Sequence, residues 1–116
     1  MKTKDRTMIF VPEGFPEIVT LLGRTRFGDE FLEVQRDLGL EGKVVLSGSA
    51  LRDSESSKLT EEQKEKLDKL HLREIDLADT VYVIDFGGYI GESTRREIDY
   101  AELNNKRIRY YSKEKQ

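Results

Sequence analysis

Thr80-Val-Tyr-Val-Ile84 is a run of β-forming residues that ends on an acid, Asp85, and enters the glycine-rich turn Phe86-Gly-Gly-Tyr-Ile-Gly91. A helix is then expected to open with Ser93 and Thr94, with a carboxylate, Glu97, one turn in. A strand that feeds a glycine-rich loop into a helix N-terminus belongs to open α/β sheets, where such a step forms a phosphate or nucleotide pocket. The first N–H groups of the helix lack backbone partners there, and the helix dipole favours an anion. This one step restricts the chain to folds in which strands and helices alternate.

The other segments follow that alternation. Met8-Ile-Phe-Val11 and Glu17 to Leu22 are β-type runs around the turn-like Pro12-Glu-Gly-Phe-Pro16, and they predict an edge hairpin or an edge strand leading into a central one. Phe27, Phe31, Val34 and Leu38 share one face of an amphipathic helix that Gly39 and Gly42 are expected to end. Lys43 to Leu46 reads as a buried strand, and Ser47 to Leu59 as a polar loop of a length that usually serves function. Thr60-Glu-Glu-Gln63 carries a capping-box pattern, and Leu67, Leu70, Ile75 and Ala78 give the helix after it an apolar stripe. A last helix from about Thr94 stops at Asn104-Asn105, before a strand over Arg107 to Tyr111.

The expected fold is therefore α/β. It is a three-layer Rossmann-like (flavodoxin-like) domain with an open parallel sheet of about four to five strands and helices on both faces. Residues 1–116 make one domain, with 1–16 an edge strand or flexible arm and 112–116 a frayed tail. In such sheets ligands bind beyond the carboxyl ends of the strands, so Gly23 to Phe27, Ser47 to Leu59 and Asp85 to Thr94 should converge on one rim.

Composition narrows the function. A net charge of −3 is against a general nucleic-acid or membrane-surface binder, since both usually need a basic excess. The absence of cysteine removes disulfides, thiolate metal sites and a cysteine nucleophile, and a single histidine does not build a histidine metal site. No metal and no cofactor is expected. The chain has no apolar run of signal-peptide or membrane-span character and reads as cytoplasmic.

The candidate rim residues each have two readings. In Gly23-Arg-Thr-Arg26 the glycine permits close backbone approach, and Arg24, Thr25 and Arg26 offer donors to phosphate oxygens. The same four residues also make a plain strand-to-helix turn with solvated arginines. Gly23 and Gly28 have the spacing of a Walker A loop, but Asp29 stands where its lysine is required. Glu97 is either an acid facing the rim together with Asp85, or the glutamate of a Thr94-Arg-Arg-Glu97 capping box. Paired acids suit glycosyl substitution, one attacking or stabilising the anomeric carbon and the other managing the leaving group.

Gly88 and Tyr89 lie in the turn, where Tyr89 can stack on a base or pack on the domain or a partner. Ser93 and Thr94 are phosphate donors at a helix N-terminus or simple N-caps. Glu92 reads as solvated or as a lip residue. His71, four residues after Leu67, reads as a structural histidine near the apolar stripe.

On these residues the chain resembles the nucleoside 2-deoxyribosyltransferase-like superfamily, with its nucleotide N-glycosidases and phosphoribohydrolases. The matching pieces are Gly23-Arg-Thr-Arg26, Ala78-Asp79 before Val81 to Asp85, and Ser93-Thr-Arg-Arg-Glu97-Ile-Asp-Tyr-Ala101 leading into Lys106-Arg-Ile. The resemblance implies that Glu97 is a nucleophile at the anomeric carbon and that Asp85 assists with base or sugar. It also implies that the Gly23 turn contacts a 5′-phosphate. Ser93 stands where the family has glycine before its threonine.

The resemblance further implies a small-molecule nucleotide or nucleoside ligand and a homo-oligomer that completes its site with a neighbouring subunit. Three functions follow: an N-glycosidic bond hydrolase or 2-deoxyribosyltransferase, a non-catalytic nucleotide-binding or regulatory module on the same rim, or a small interaction domain without a small ligand.

Overall fold

The computed structural model describes residues 14–47 and 58–116. The expected strand over Met8 to Val11, and most of the Ser47 to Leu59 loop, lie outside them. Strand β1 (Ile18–Gly23) leads through a short 3-10 turn, Thr25–Phe27, into helix α1 (Gly28–Leu40) and strand β2 (Val44–Leu46). Helix α2 (Glu61–Leu77), strand β3 (Thr80–Ile84), a second 3-10 turn at Phe86–Gly88, helix α3 (Glu92–Leu103), strand β4 (Arg107–Tyr110) and the short helix α4 (Tyr111–Glu114) are the remaining elements of the described residues. The four strands form one all-parallel sheet in the order β2-β1-β3-β4. The fold is the expected open α/β, Rossmann-like sheet with helices on both faces.

Period-two alternation splits each central strand between two apolar clusters. Val19, Leu21, Tyr82 and Ile84 pack with Val34 and Leu38 of α1 and with Tyr111 of α4. Leu22, Val81 and Val83 pack with Ile75 of α2 and with Ile98 and Ala101 of α3. β1 and β3 are buried along almost their whole length because they are central and covered on both faces. β2 is an edge strand, so Val44 to Leu46 are half-buried rather than fully buried as the sequence suggested.

Local chemistry fixes most helix ends. Thr60 caps α2 as expected: its hydroxyl accepts from Gln63 N–H at 3.0 Å and Gln63 Oε1 accepts from Thr60 N–H at 2.9 Å. α1 runs through Gly39, ends at Leu40, and is stopped by Gly42, the second of the two expected glycines. The stop is a Schellman motif, with Lys43 N–H donating to Leu38 O at 3.1 Å and Gly42 N–H to Gly39 O at 3.0 Å, and with Gly42 at φ 87°. α3 ends the same way on Asn105, at φ 59°, with Lys106 N–H donating to Ala101 O at 3.0 Å. In α2 the buried line runs through His71, Leu72, Ile75 and Ala78, while Leu70 is exposed.

The tail does not fray as its composition suggested. Tyr111 is buried and its hydroxyl donates to Glu33 at 2.8 Å. Arg109 forms a two-point pair with Glu114, both contacts at 2.8 Å, and Lys115 reaches Asp37 at 2.6 Å. A run of polar residues is held here because Glu114 and Lys115 find fixed partners on β4 and α1.

Candidate functional site

The strand order reverses direction at β1: the chain leaves β1 for β2 on one side and returns to β3 on the other. The crevice beyond the carboxyl ends of β1 and β3 is the topological switch point, the usual ligand position in an open α/β sheet. Gly23 pairs in register with Ile84, so the loops after the two strands start side by side. Gly23 sits at φ 147°, and a Cβ there would lie 2.8 Å from Ile84 O. The glycine is thus demanded by the neighbouring strand, independently of any ligand.

The two loops meet through their side chains. Arg24 Nη1 donates to Tyr89 Oη at 3.0 Å, and the guanidinium groups of Arg24 and Arg26 lie 5.7 and 4.9 Å from the Tyr89 ring centre. Gly91 is buried beneath them, and a Cβ at that position would meet Tyr89 Oη at 3.3 Å and the Arg24 side chain at 3.4 Å. Phe27 packs between Phe86 and Tyr89, with ring centres 5.8 and 6.3 Å apart. Phe86 and Tyr89 stay 43% and 41% exposed, which leaves apolar ring surface open at the rim. Two of the three segments expected to converge therefore do so; the third lies in 47–59, largely outside the described residues.

The turn itself relies on glycine. Gly87 and Gly88 have φ of 67° and 82°, and Gly88 N–H closes the turn on Asp85 O at 2.7 Å. α3 then opens at Glu92 with Gly91 as its N-cap and without a side-chain cap. Its first N–H groups accordingly keep their capacity to bind an anion. Ser93 and Glu92 are exposed in this first turn, and Arg96 Nη2 lies 3.5 Å from Ser93 Oγ. Thr94 is buried at 4% exposure, and Thr25 opens the first 3-10 turn. Among the described residues no carboxylate pairs with Arg24, Arg26, Arg95 or Arg96.

The two carboxylates singled out from sequence stand in separate hydrogen-bond surroundings. Asp85 is 4% exposed and is held by α4: Oδ1 accepts from Ser112 N–H at 2.8 Å and Oδ2 from Ser112 Oγ at 2.6 Å. Ser112 lies in the first turn of that helix, so Asp85 supplies from another element the acceptor that an N-cap would supply locally. Glu97 turns to the opposite face of the sheet, where Oε2 meets His71 Nδ1 at 2.7 Å. Since α3 starts at Glu92, Thr94 lies within the first turn and not ahead of it. The Thr94–Glu97 capping box is therefore not formed, and Glu97 is engaged by tertiary structure instead.

His71 is the residue sequence reasoning undervalued. Its ring sits between α3 and β1, with Nε2 3.4 Å from Leu21 O. Burial works to lower its pKa, but the bond and charge of Glu97, the Leu21 carbonyl and the charge of Glu74 outweigh that and hold it above the ordinary histidine value. The one signal in the sequence was its position on the buried line of α2; its partner is 26 residues away.

Fold and rim together define a Rossmann-like α/β domain with a basic, aromatic switch point. No family model matches the chain, nor does any curated protein or solved structure. Among the described residues no helix is long and apolar enough to cross a membrane, and no group of histidine, aspartate and glutamate is arranged to hold a metal.

Proposed function

We propose that this protein binds a nucleotide or nucleoside monophosphate at the β1/β3 switch point. The observation that carries the reading is the cluster of Arg24 and Arg26 around Tyr89, beside the uncapped N-terminus of α3. Two guanidinium groups and a set of helix N–H donors suit a phosphate, and the open faces of Tyr89 and Phe86 suit a base. Loss of one arginine–phosphate contact costs about 1.5–3 kcal/mol, roughly a 10- to 150-fold loss of affinity. Calorimetry with nucleoside monophosphates and the matching nucleosides tests this. Arg24→Ala and Arg26→Ala should weaken the monophosphates by that factor and leave nucleosides little changed. Equal affinity of wild type and both variants for the monophosphates refutes the reading.

A second reading is that the bound nucleotide is cleaved at its N-glycosidic bond, by a hydrolase or a deoxyribosyltransferase as the resemblance implies. It is favoured by Glu97, a half-buried carboxylate on α3 that His71 holds through one oxygen. Attack by Glu97 forms a bond to C1′ as the C1′–N bond breaks; its electron pair leaves with the base, which takes a proton from solvent. Water or a second base then displaces the carboxylate. Asp85, with both oxygens engaged by Ser112, plays no part in this version. Release of free base from a panel of nucleosides and nucleoside monophosphates, abolished by Glu97→Ala, supports turnover. Binding without base release leaves a nucleotide-binding module. A homo-oligomer completing the rim belongs to the same proposal.

A further inference from the structure

We infer that His71 is an imidazolium that fixes the Glu97 carboxylate in one orientation, and so serves as a positioning residue for it. The inference rests on the glycosidic reading for its functional meaning and on geometry for its substance. Both neighbours of the ring are acceptors: Glu97 Oε2 at 2.7 Å from Nδ1 and Leu21 O at 3.4 Å from Nε2. A neutral imidazole has one N–H, so either tautomer would turn a nitrogen lone pair toward an oxygen lone pair. Only the doubly protonated ring donates to both. The second charged group facing it is Glu74, on its own helix, whose Oε1 is buried without a hydrogen-bond partner among the described residues. Three oxygen-bearing groups thus surround the ring from α3, β1 and α2.

The consequence for Glu97 is directional. Its Oε2 is committed to His71, and among the described residues no bond engages Oε1. A carboxylate tethered by one oxygen presents the other at a fixed position, which is what attack at a single carbon requires. The tether is a charge pair across helices; the capping-box pattern would have tied Glu97 to the backbone instead.

Because the chain has one histidine, its imidazole can be followed by NMR without assignment. The ring should titrate above its ordinary value in the wild type and at least one pH unit lower in Glu97→Gln, a tenfold change in proton affinity. Identical midpoints overturn the inference whatever the turnover result. Where base is released, His71→Asn, which keeps a neutral donor near the Nδ1 position, should retain activity better than His71→Ala. It should also lack the alkaline decline of kcat expected of the wild type. A wild-type pH profile in His71→Asn overturns the positioning role while leaving the glycosidic reading standing. A coupled titration with no base release from any substrate sinks the glycosidic reading and leaves the ion pair standing.

Discussion

Asp85 tests whether this rim carries one acid or two. Its carboxylate is almost fully buried and receives two hydrogen bonds from Ser112, at 2.8 and 2.6 Å. A charge-assisted bond of this kind contributes about 1.5–3 kcal/mol. Ser112→Ala removes the hydroxyl donor alone and should cost about 1.5 kcal/mol. Asp85→Ala removes the acceptor for both donors and leaves an N–H of α4 unpaired, for about 3 kcal/mol. Asp85→Asn keeps an acceptor for the N–H and can donate to the serine oxygen, so about 1 kcal/mol is expected. In a domain of this size 1.5 kcal/mol lowers Tm by roughly 5–10 °C.

The double variant Asp85→Ala/Ser112→Ala should be no less stable than Asp85→Ala, since the hydroxyl bond is already gone. Urea titrations of the four proteins, with amide exchange in Tyr111–Glu114, provide the measurement. Additive costs in the double variant refute the assignment of Asp85 to α4. So does an Asp85→Asn protein of unchanged Tm that no longer binds or turns over nucleotide, because the acid would then be facing the ligand.

Gly23→Ala should destabilise by at least about 2 kcal/mol in urea, because the added carbon meets Ile84 O at 2.8 Å in a left-handed backbone. A neutral result would mean that β1 and β3 separate freely at the rim. Thr60→Ala should cost about 1 kcal/mol through loss of the reciprocal cap on α2, read as the same kind of shift in midpoint. The His71–Glu97 pair makes stability depend on pH in a defined sense. With the folded-state pKa of His71 raised, its contribution is complete below about pH 6.5 and is lost as pH rises through the folded value. Denaturation midpoints measured between pH 6 and pH 9 should therefore fall more steeply for the wild type than for His71→Asn, and parallel curves contradict the pairing.

What the sequence disclosed and what it concealed divide along a physical line. Thr80 to Ile84, the Thr60–Gln63 cap and the Asn105 stop are local: each depends on β-propensity, a three-residue spacing or an αL-tolerant side chain, and each matches the expectation. The convergence of Arg24, Arg26 and Tyr89 followed from topology, since an alternating chain must bring the loops after β1 and β3 to one edge. The partners of Asp85 and Glu97 were not legible. Ser112 and His71 lie 27 and 26 residues from them, and no periodicity links such positions. Thr94-Arg-Arg-Glu97 misled because the motif is defined by where a helix begins, and Gly91 begins this one a turn earlier. The tail misled because ion pairs with α1 and β4 are invisible to composition.

The same sheet separates the two acids. A strand sends alternate side chains to opposite faces, but β3 ends at Ile84 and the chain then leaves the pleat, with Asp85 at φ −108° and ψ 59°. That departure brings Asp85 under α4, on the face shared with α1. α3, packed on the other face through Ile98 and Ala101, carries Glu97 toward α2. An acid that follows a strand and an acid on the next helix are thus neighbours in sequence but served by different layers. Under the glycosidic reading Glu97 would therefore act without Asp85, and the charged group paired with it is His71. Among the described residues between β3 and Glu97, the other candidate for a second acid in a retaining mechanism is Glu92, which stands exposed in the first turn of α3. Glu92→Gln should accordingly leave base release within about twofold of wild type, since surface groups without a partner contribute little. A loss like that of Glu97→Ala would return a second carboxylate to the site.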